Sequence, residues 1–521
     1  MGNDGLVTVR MQPVSAEVKV PRGTPMRDFL FEQGVEFPCG GNGRCRGCKI
    51  RIVEGDAAVN EAQREHLTAT ELAAGWRLAC QCRAEQDMAI ELRQWDATIL
   101  TNEAEFGFVP REGLGIAVDI GTTTLVAQLL DLQNGHVLGV KTSLNPQARH
   151  GGDVMSRVQF AVADGGLAVL RDLIRHEVGR LIRYLFDASG ASPERLMRVV
   201  LVGNTVMHHL FCGIDLEPLS HYPFEPVADG LQTLRPSELG WDIRGDVEVQ
   251  FLPCLGSFVG SDVLAGILAT SIHTADRLTM LVDLGTNGEI VLADRTRLMC
   301  ASTAAGPAFE GARISSGMRA ATGAVWKVSA NDGHPRCEVL GNEAPRGICG
   351  SGLVDAVAVG LDLAAIRPTG RLREGDRWRL CGDVSLTQTD IRQLQLAKGA
   401  IAAGIRLLLQ RWGASFDDVT RLYLAGAFGN YVNRSSAQRI GLLQMPLDKV
   451  APAGNTALLG AKIALFSERS EDNRFAALRS RTEHVGLNED PQFQDVYVEE
   501  MVFPASDPTG RAPDIEEGIG P

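Results

Sequence analysis

The 521-residue chain lacks any apolar run that reaches the ~18 residues of a membrane-spanning helix, which argues against a span. Its first residues, MGNDGLVTVRMQP, hold no basic stretch followed by an apolar one, so no secretory leader is expected. Leu6 stands where a myristoylation signal needs Ser or Thr. Positive charge is short: 51 Lys and Arg face 64 Asp and Glu, for a net charge of −13. That balance speaks against a nucleic-acid backbone or an anionic membrane as partner. H-E-x-x-H and G-x-S-x-G are absent, and GHVLGVKT (Gly135–Thr142) has the wrong spacing for a Walker A loop. The expected compartment is the cytoplasm, where the 11 cysteines should not form a disulfide framework.

What is present begins with those cysteines. Five fall between Cys39 and Cys82. FPCGGNGRCRGCKI sets Cys39, Cys45 and Cys48 in a C-x5-C-x2-C array, and RLACQCRAE adds Cys80 and Cys82. Three cysteines on one Gly-rich loop with a distant fourth are how a chain wraps a [2Fe–2S] cluster. Gly40, Gly41, Gly43 and Gly47 let backbone curl around inorganic sulfide and aim N–H groups at it. Zinc sites favour paired C-x2-C knuckles, which this loop does not have. The array is similar to the adrenodoxin-like and putidaredoxin-like ferredoxins, in which the fourth ligand sits in an R-L-x-C-Q string. That resemblance implies Cys80 as the fourth ligand, with Cys82 spare. The flanking segments read as a small β-grasp unit: a hairpin from Val7–Arg10 and Val18–Val20, a helix over Pro25–Gln33, and strands at Lys49–Val53 and Ala89–Arg93.

From residue 114 the texture changes. The apolar strand LGIAVD runs into Asp119-Ile120-Gly121-Thr122-Thr123-Thr124, and a second apolar strand follows. The pattern returns 164 residues later around Asp283, with Gly285, Thr286, Asn287, Gly288 and Glu289. A strand–turn–strand unit used twice predicts two homologous halves facing each other. Gly121 and Gly285 let backbone approach a phosphate, while N–H groups and Thr hydroxyls donate to its oxygens. Asp119 and Asp283, at the strand ends, are suited to hold Mg²⁺ through water. Glu289 and Glu310 are both candidates to orient the attacking water.

The duplicated turns resemble the phosphate loops of the acetate and sugar kinase, Hsc70 and actin superfamily, with its RNase H-like halves. That superfamily needs a Gly-rich adenosine loop near the C-terminus, and RLYLAGAFGNYV offers Gly426 and Gly429 after the strand Arg421–Ala425. The resemblance implies ATP as ligand. The fold class is therefore α+β and then α/β. The expected division is a ferredoxin-like domain over 1–96, a linker over 97–112, ATPase halves over 113–276 and 277–466, and a C-terminal extension with a disordered tail over 467–521.

A ferredoxin joined to such an ATPase resembles the ATP-dependent reductive activators of corrinoid proteins. Leu201–Gly213, Gly256–Leu268, Ala304–Val325 and Ile348–Val357 carry further strings of that family. The resemblance implies one-electron reduction of Co(II) to Co(I) in a corrinoid protein or cobalamin-dependent methyltransferase, coupled to ATP hydrolysis and fed by an upstream electron donor. It leaves a homodimer open. No D-x-H-x-x-G string occurs, so the corrinoid is expected on the partner. The alternative is an ATP-dependent activator of another low-potential enzyme, such as a 2-hydroxyacyl-CoA dehydratase. By family analogy Asn204 and Thr205 face the same crevice. His208 and His209 read as helical histidines satisfied by their neighbours, and Cys300 and Cys349 as packing. Cys212, Cys254, Cys337 and Cys381 have no partner spacing.

Overall fold

The computed structural model describes residues 5–12, 16–30, 35, 48–92, 110–163, 165–243, 245–311, 313–318, 320, 323–429, 432–467 and 472–505. Cys39, Cys45, residues 93–109, which include most of the expected linker, and the tail at 506–521 lie outside them.

The N-terminal unit is a five-stranded sheet. Leu6–Gln12 and Ala16–Pro21 form an antiparallel hairpin, with buried Val7, Val9 and Met11 alternating along the first strand. Met88–Leu92 joins that strand in parallel and then pairs with Lys49–Glu54, whose other edge takes Trp76–Leu78. The helix is shorter at its start than the sequence suggests. It spans Met26–Leu30, because Pro25 belongs to a two-residue ladder with Arg83. Thr68 and Glu71 close a capping box on the short helix Ala69–Ala73.

Two further sheets repeat one topology. In the first, Leu114–Ile120, Thr124–Asp131 and Val137–Leu144 form an antiparallel meander. Leu196–Gly203 adds in parallel to the first strand, and Glu248–Phe251 in parallel beyond it. In the second, Thr279–Leu284, Gly288–Ala293 and Leu298–Thr303 form the meander, with Arg421–Ala425 and Val450–Gly454 as the parallel pair. Over these five strands both sheets read 3-2-1-4-5, and Gln232–Leu234 adds a sixth, antiparallel edge strand beyond Glu248–Phe251 in the first. The first strands are buried on both faces, which is why they read as unbroken apolar runs.

Two helices lie between the halves. Ser261–Thr270 follows the fifth strand of the first half, and Thr456–Phe466 follows that of the second. They cross so closely that a Cβ on Gly460 would stand 2.1 Å from the Ala265 carbonyl oxygen. Thr456–Phe466 also packs on the first half's strands Leu114–Ile120 and Leu196–Gly203, so the end of the second half closes the first. The outer faces take longer amphipathic helices. Leu167–Ser189 buries Leu170, Ile174, Val178 and Leu181 at helical spacing, and Gln388–Trp412 starts on a Thr387–Asp390 capping box. Beyond residue 467 the chain returns: Thr482–His484 adds a parallel edge strand to the second sheet, and Phe493–Met501 packs along Gln388–Trp412. No helix among the described residues is long and apolar enough to cross a membrane.

Candidate functional site

The two Asp-Gly-Thr turns sit at equivalent corners of the two halves and face each other. In the first, the Gly121 N–H donates to the Thr124 carbonyl at 3.1 Å. A Cβ on Gly121 would come within 2.5 Å of that oxygen, so the turn requires glycine. In the second, the Gly285 N–H donates to the Asn287 carbonyl at 2.9 Å. A Cβ at Gly285 would meet nothing closer than 3.7 Å, which leaves open space beside that backbone. Gly288 opens the next strand against helix Gln388–Trp412, where a Cβ would stand 2.6 Å from Ile401.

The hydroxyls of Thr123 and Thr286 lie 3.5 Å apart. Both donate to one carboxylate, Glu310, at 3.2 and 2.6 Å. Thr122 is held from behind: the Asn204 amide donates to its hydroxyl at 2.9 Å, and the buried Arg157 guanidinium donates to its carbonyl at 2.6 Å. Asn204 also caps the helix Thr205–Cys212 through the Met207 N–H. Thr205 instead turns its hydroxyl to the Gly256 carbonyl.

Carboxylates ring the same crevice. Burial pushes Asp119 up to about 6, against a hydrogen bond from Asn455 that pulls the other way. Burial, reinforced by the Asp119 charge, raises Asp283 to about 7. Asp262, at the start of helix Ser261–Thr270, rises to about 7 through burial and through Asp119 and Asp283. Glu289 is held well above the ordinary range by burial, Asp262 and Asp283. All four acids are raised by burial, and Asp262, Asp283 and Glu289 by neighbouring acids as well, so the site is short of positive charge. Among the described residues no three of these acids close on one direct ligand position, so their oxygens suit a Mg²⁺ ion that keeps its waters rather than one ligated directly.

Sequence reasoning missed Asp262 and Asn455. Asp262 lies inside the string GSFVGSDVLAGIL, where an acid after Gly-Ser at a helix start was the available signal. Asn455 had a cap signature before Thr456–Phe466. Its second bond, from Nδ2 to Asp119 Oδ2 at 3.0 Å, spans the two halves and left no trace in local sequence.

Gly426 closes the wall beside Asp283. Its φ is +83°, and a Cβ there would lie 2.4 Å from Asp283 Oδ1. Gly429 ends the same short helical turn, against Leu424. Phe428 stacks on Phe309 with centroids 4.5 Å apart, tying this loop to the turn Pro307–Glu310 that carries the bridging carboxylate.

At the N-terminal unit, Cys48 and Cys80 come together around the edge strand: the Ala79 N–H donates to the Cys48 carbonyl at 3.0 Å. Cys80 is half-buried, and the Gln81 amide donates to its sulfur at 3.5 Å. Cys82 is buried, its thiol donates to the Leu78 carbonyl at 3.4 Å, and burial pushes it up to about 12. Cys80 thus has the partly open, amide-solvated sulfur suited to an iron ligand, and Cys82 is a protonated core thiol.

Other flagged residues stand apart from the crevice. His208 and His209 are buried in Thr205–Cys212. The His208 ring reaches the Gly230 carbonyl, and burial drives it down to about 3. Cys300 and Cys349 are buried, the latter 3.3 Å from the Ser351 hydroxyl.

Fold and site together define an actin-like ATPase core carrying a ferredoxin head. Matches to known proteins narrow this. Residues 9–85 match the 2Fe-2S iron-sulfur cluster binding domain, 114–275 the RACo middle region, and 277–512 the C-terminal domain of RACo, the ASKHA domain. The chain is 34% identical over 419 residues to the corrinoid activation enzyme RamQ of Eubacterium limosum, covering 75% of this chain and 70% of that protein. It is 27% identical over 421 residues to the [Co(II) methylated amine-specific corrinoid protein] reductase of Methanosarcina barkeri, covering 75% and 77%. A solved structure titled reductive activator for corrinoid, iron-sulfur protein superposes with a TM-score of 0.69 at 28% identity, over 96% of this chain and 98% of that one. The chain belongs to this family, the ATP-dependent reductive activators of corrinoid proteins.

Proposed function

We infer that this protein returns a corrinoid protein from Co(II) to Co(I), one electron at a time, at the expense of ATP. The observation that carries the reading is the meeting of Thr123 and Thr286, one from each half, over a crevice of carboxylates in a chain that also bears a ferredoxin head. The relatives named above are corrinoid activators, which favours this reading over activation of a dehydratase.

The division of labour follows the chain. Residues 1–96 form the electron-carrying head, 97–112 its tether, 113–276 and 277–466 the two halves of the ATPase, and 467–521 its C-terminal extension. Cys39, Cys45, Cys48 and Cys80 hold the cluster, which supplies a one-electron carrier. Gly121, Thr122, Thr123 and Thr124 on one side, and Gly285, Thr286, Asn287 and Gly288 on the other, donate to the ATP phosphates, with Gly426 and Gly429 lining the adenosine side. Asp119 and Asp283 are placed to hold Mg²⁺ through water, which offsets phosphate charge. Glu289 orients the attacking water. Asp262 adds charge that keeps Glu289 basic enough to accept a proton. Glu310 releases the two threonines when phosphate takes its place.

Energetics explain why ATP is needed. Plant-type clusters sit near about −400 mV, and Co(II)/Co(I) is expected lower. Each ~30 mV of uphill gap for a two-electron couple, or ~59 mV for one electron, is a factor of about ten. Nucleotide binding favours the conformation that docks the partner, and hydrolysis releases it. The corrinoid resides on the partner, and an upstream donor refills the head. The protein works in the cytoplasm, alone or as a homodimer.

The test is anaerobic. The reduced protein is mixed with a Co(II) corrinoid protein, with and without ATP and Mg²⁺, and Co(I) is followed by its visible absorption. Conversion that requires ATP is expected; equal conversion without ATP sinks the coupling.

A further inference from the structure

The face of the second ATPase half that meets the ferredoxin head carries a thiol pair outside the nucleotide crevice. Cys337 lies on the strand His334–Val339, and Cys381 ends the strand Arg377–Cys381. The two strands pack together, and the two thiols hydrogen-bond to each other. Packing at this point is close: Gly382, at φ +52°, leaves a Cβ position only 2.9 Å from Pro345 Cγ. Unlike Cys254, Cys300 and Cys349, both residues are half-exposed.

Their surroundings give access. Cys337 lines a 530 Å³ cavity between the head and the second half, and Cys80 and Cys82 line the same cavity from the other side. The Arg83 guanidinium bridges its rim, donating to the Gly341 carbonyl at 2.9 Å, two residues past the Cys337 strand. Cys337 therefore sits on the wall facing the cluster-bearing edge of the head, with Cys381 beside it on the neighbouring strand.

We propose that Cys337 and Cys381 are a redox-active dithiol, which small disulfides of the glutathione class convert to an intrachain disulfide on the wall of the head–ATPase cavity. Thiols already in hydrogen-bonding contact need only small side-chain rotations to reach a sulfur–sulfur bond of about 2.05 Å. The Cys337 thiol donates to Cys381, which lowers Cys381 and raises Cys337, so Cys381 supplies the thiolate. Its sulfur attacks one sulfur of the small disulfide. That bond breaks, one small thiolate leaves, and a mixed disulfide forms on Cys381. The Cys337 sulfur, giving up its proton, then attacks the Cys381 sulfur and expels the second small thiolate. The protein dithiol loses two electrons and two protons, and the small disulfide gains both. The product ties the strand beside the head's docking point to its neighbour, independently of how the nucleotide site works.

The experiment uses the intact cluster-loaded protein. It is incubated anaerobically with oxidised glutathione, alkylated, digested and mapped by mass spectrometry, beside a sample reduced with dithiothreitol. A peptide linking Cys337 to Cys381 is expected, reversed by dithiothreitol, with the visible cluster spectrum unchanged. Cys337→Ser should trap glutathione on Cys381, because the resolving thiol is gone. Cys381→Ser should leave Cys337 largely free. In the unsubstituted protein, recovery of both cysteines as alkylated thiols, a lasting glutathione adduct on either, or linkage of either to Cys80 or Cys82 overturns the proposal.

Discussion

Cys80 and Cys82 stand two positions apart, yet their surroundings assign them different chemistry. The Cys80 sulfur is half-open and accepts from the Gln81 amide; the Cys82 thiol is buried and donates to a backbone carbonyl. Cys80→Ser should therefore remove the visible absorption of the cluster, whereas Cys82→Ser should keep it. Iron and acid-labile sulfide content per chain checks both variants. Gly426 is constrained in a second way. Its left-handed φ costs an L-residue roughly 1–2 kcal/mol, and the space for a side chain is taken by Asp283 Oδ1. Gly426→Ala should lower thermal stability by at least that amount and weaken nucleotide binding, read by a melting curve and an ATP titration on the same sample. Gly285 offers a contrast: with open space beside it, its replacement by Ala should leave folding intact.

At the scale of elements, the two central helices carry the site because their starts project into the crevice. Ser261–Thr270 brings Asp262, and Thr456–Phe466 brings Asn455. Asn455 serves two elements at once: its Oδ1 accepts from the Leu458 N–H at 2.8 Å, and its Nδ2 donates to Asp119. Asn455→Ala should cost about 1 kcal/mol as a lost helix cap and also free Asp119. Asn455→Asp keeps an acceptor for the cap but sets a second carboxylate against Asp119. Its stability in denaturant titration should stay nearer the parent protein while ATP turnover falls as far as in Asn455→Ala. Equal turnover in all three proteins would show that the bond to Asp119 is idle. The long helix Gln388–Trp412 is tied in by a comparable device: Asp390, part of its capping box, also accepts from the Ser315 N–H and hydroxyl, which anchors the strand-poor segment after Glu310.

Across the whole molecule, the halves create the electrostatics that neither has alone. Asp119 and Asp262 come from the first, Asp283 and Glu289 from the second, and Asp119, Asp262 and Asp283 each raise an acid of the other half. A carboxyl whose folded value lies above its unfolded one binds its proton more tightly when folded. Its ionisation therefore costs stability, and the loss is complete once pH passes the folded value. The metal-free protein should lose stability as pH climbs from the ordinary carboxyl value of 3.8 to about 6 for Asp119 and to about 7 for Asp262 and Asp283, with no further loss from them above that. Mg²⁺ should restore stability, and more strongly at the upper end of that window than at the lower. Melting curves across pH, with and without Mg²⁺, check the sign; a stability that rises with pH in metal-free protein would contradict it.

Local order along the chain was enough to reveal the head, the two Asp-Gly-Thr turns and their repetition. Glycines that let backbone fold on itself, alternating strands and cap residues are short-range features, and Gly121, Thr286 and Gly426 announce themselves through immediate neighbours. The exchange of contacts between distant segments could only emerge in three dimensions. Glu310 bridging Thr123 and Thr286, Asn455 on Asp119, Thr482–His484 joining the second sheet, and Cys337 meeting Cys381 all join residues whose separation is set by packing, since side-chain direction and strand order arise from burying apolar faces against one another rather than from any local pattern.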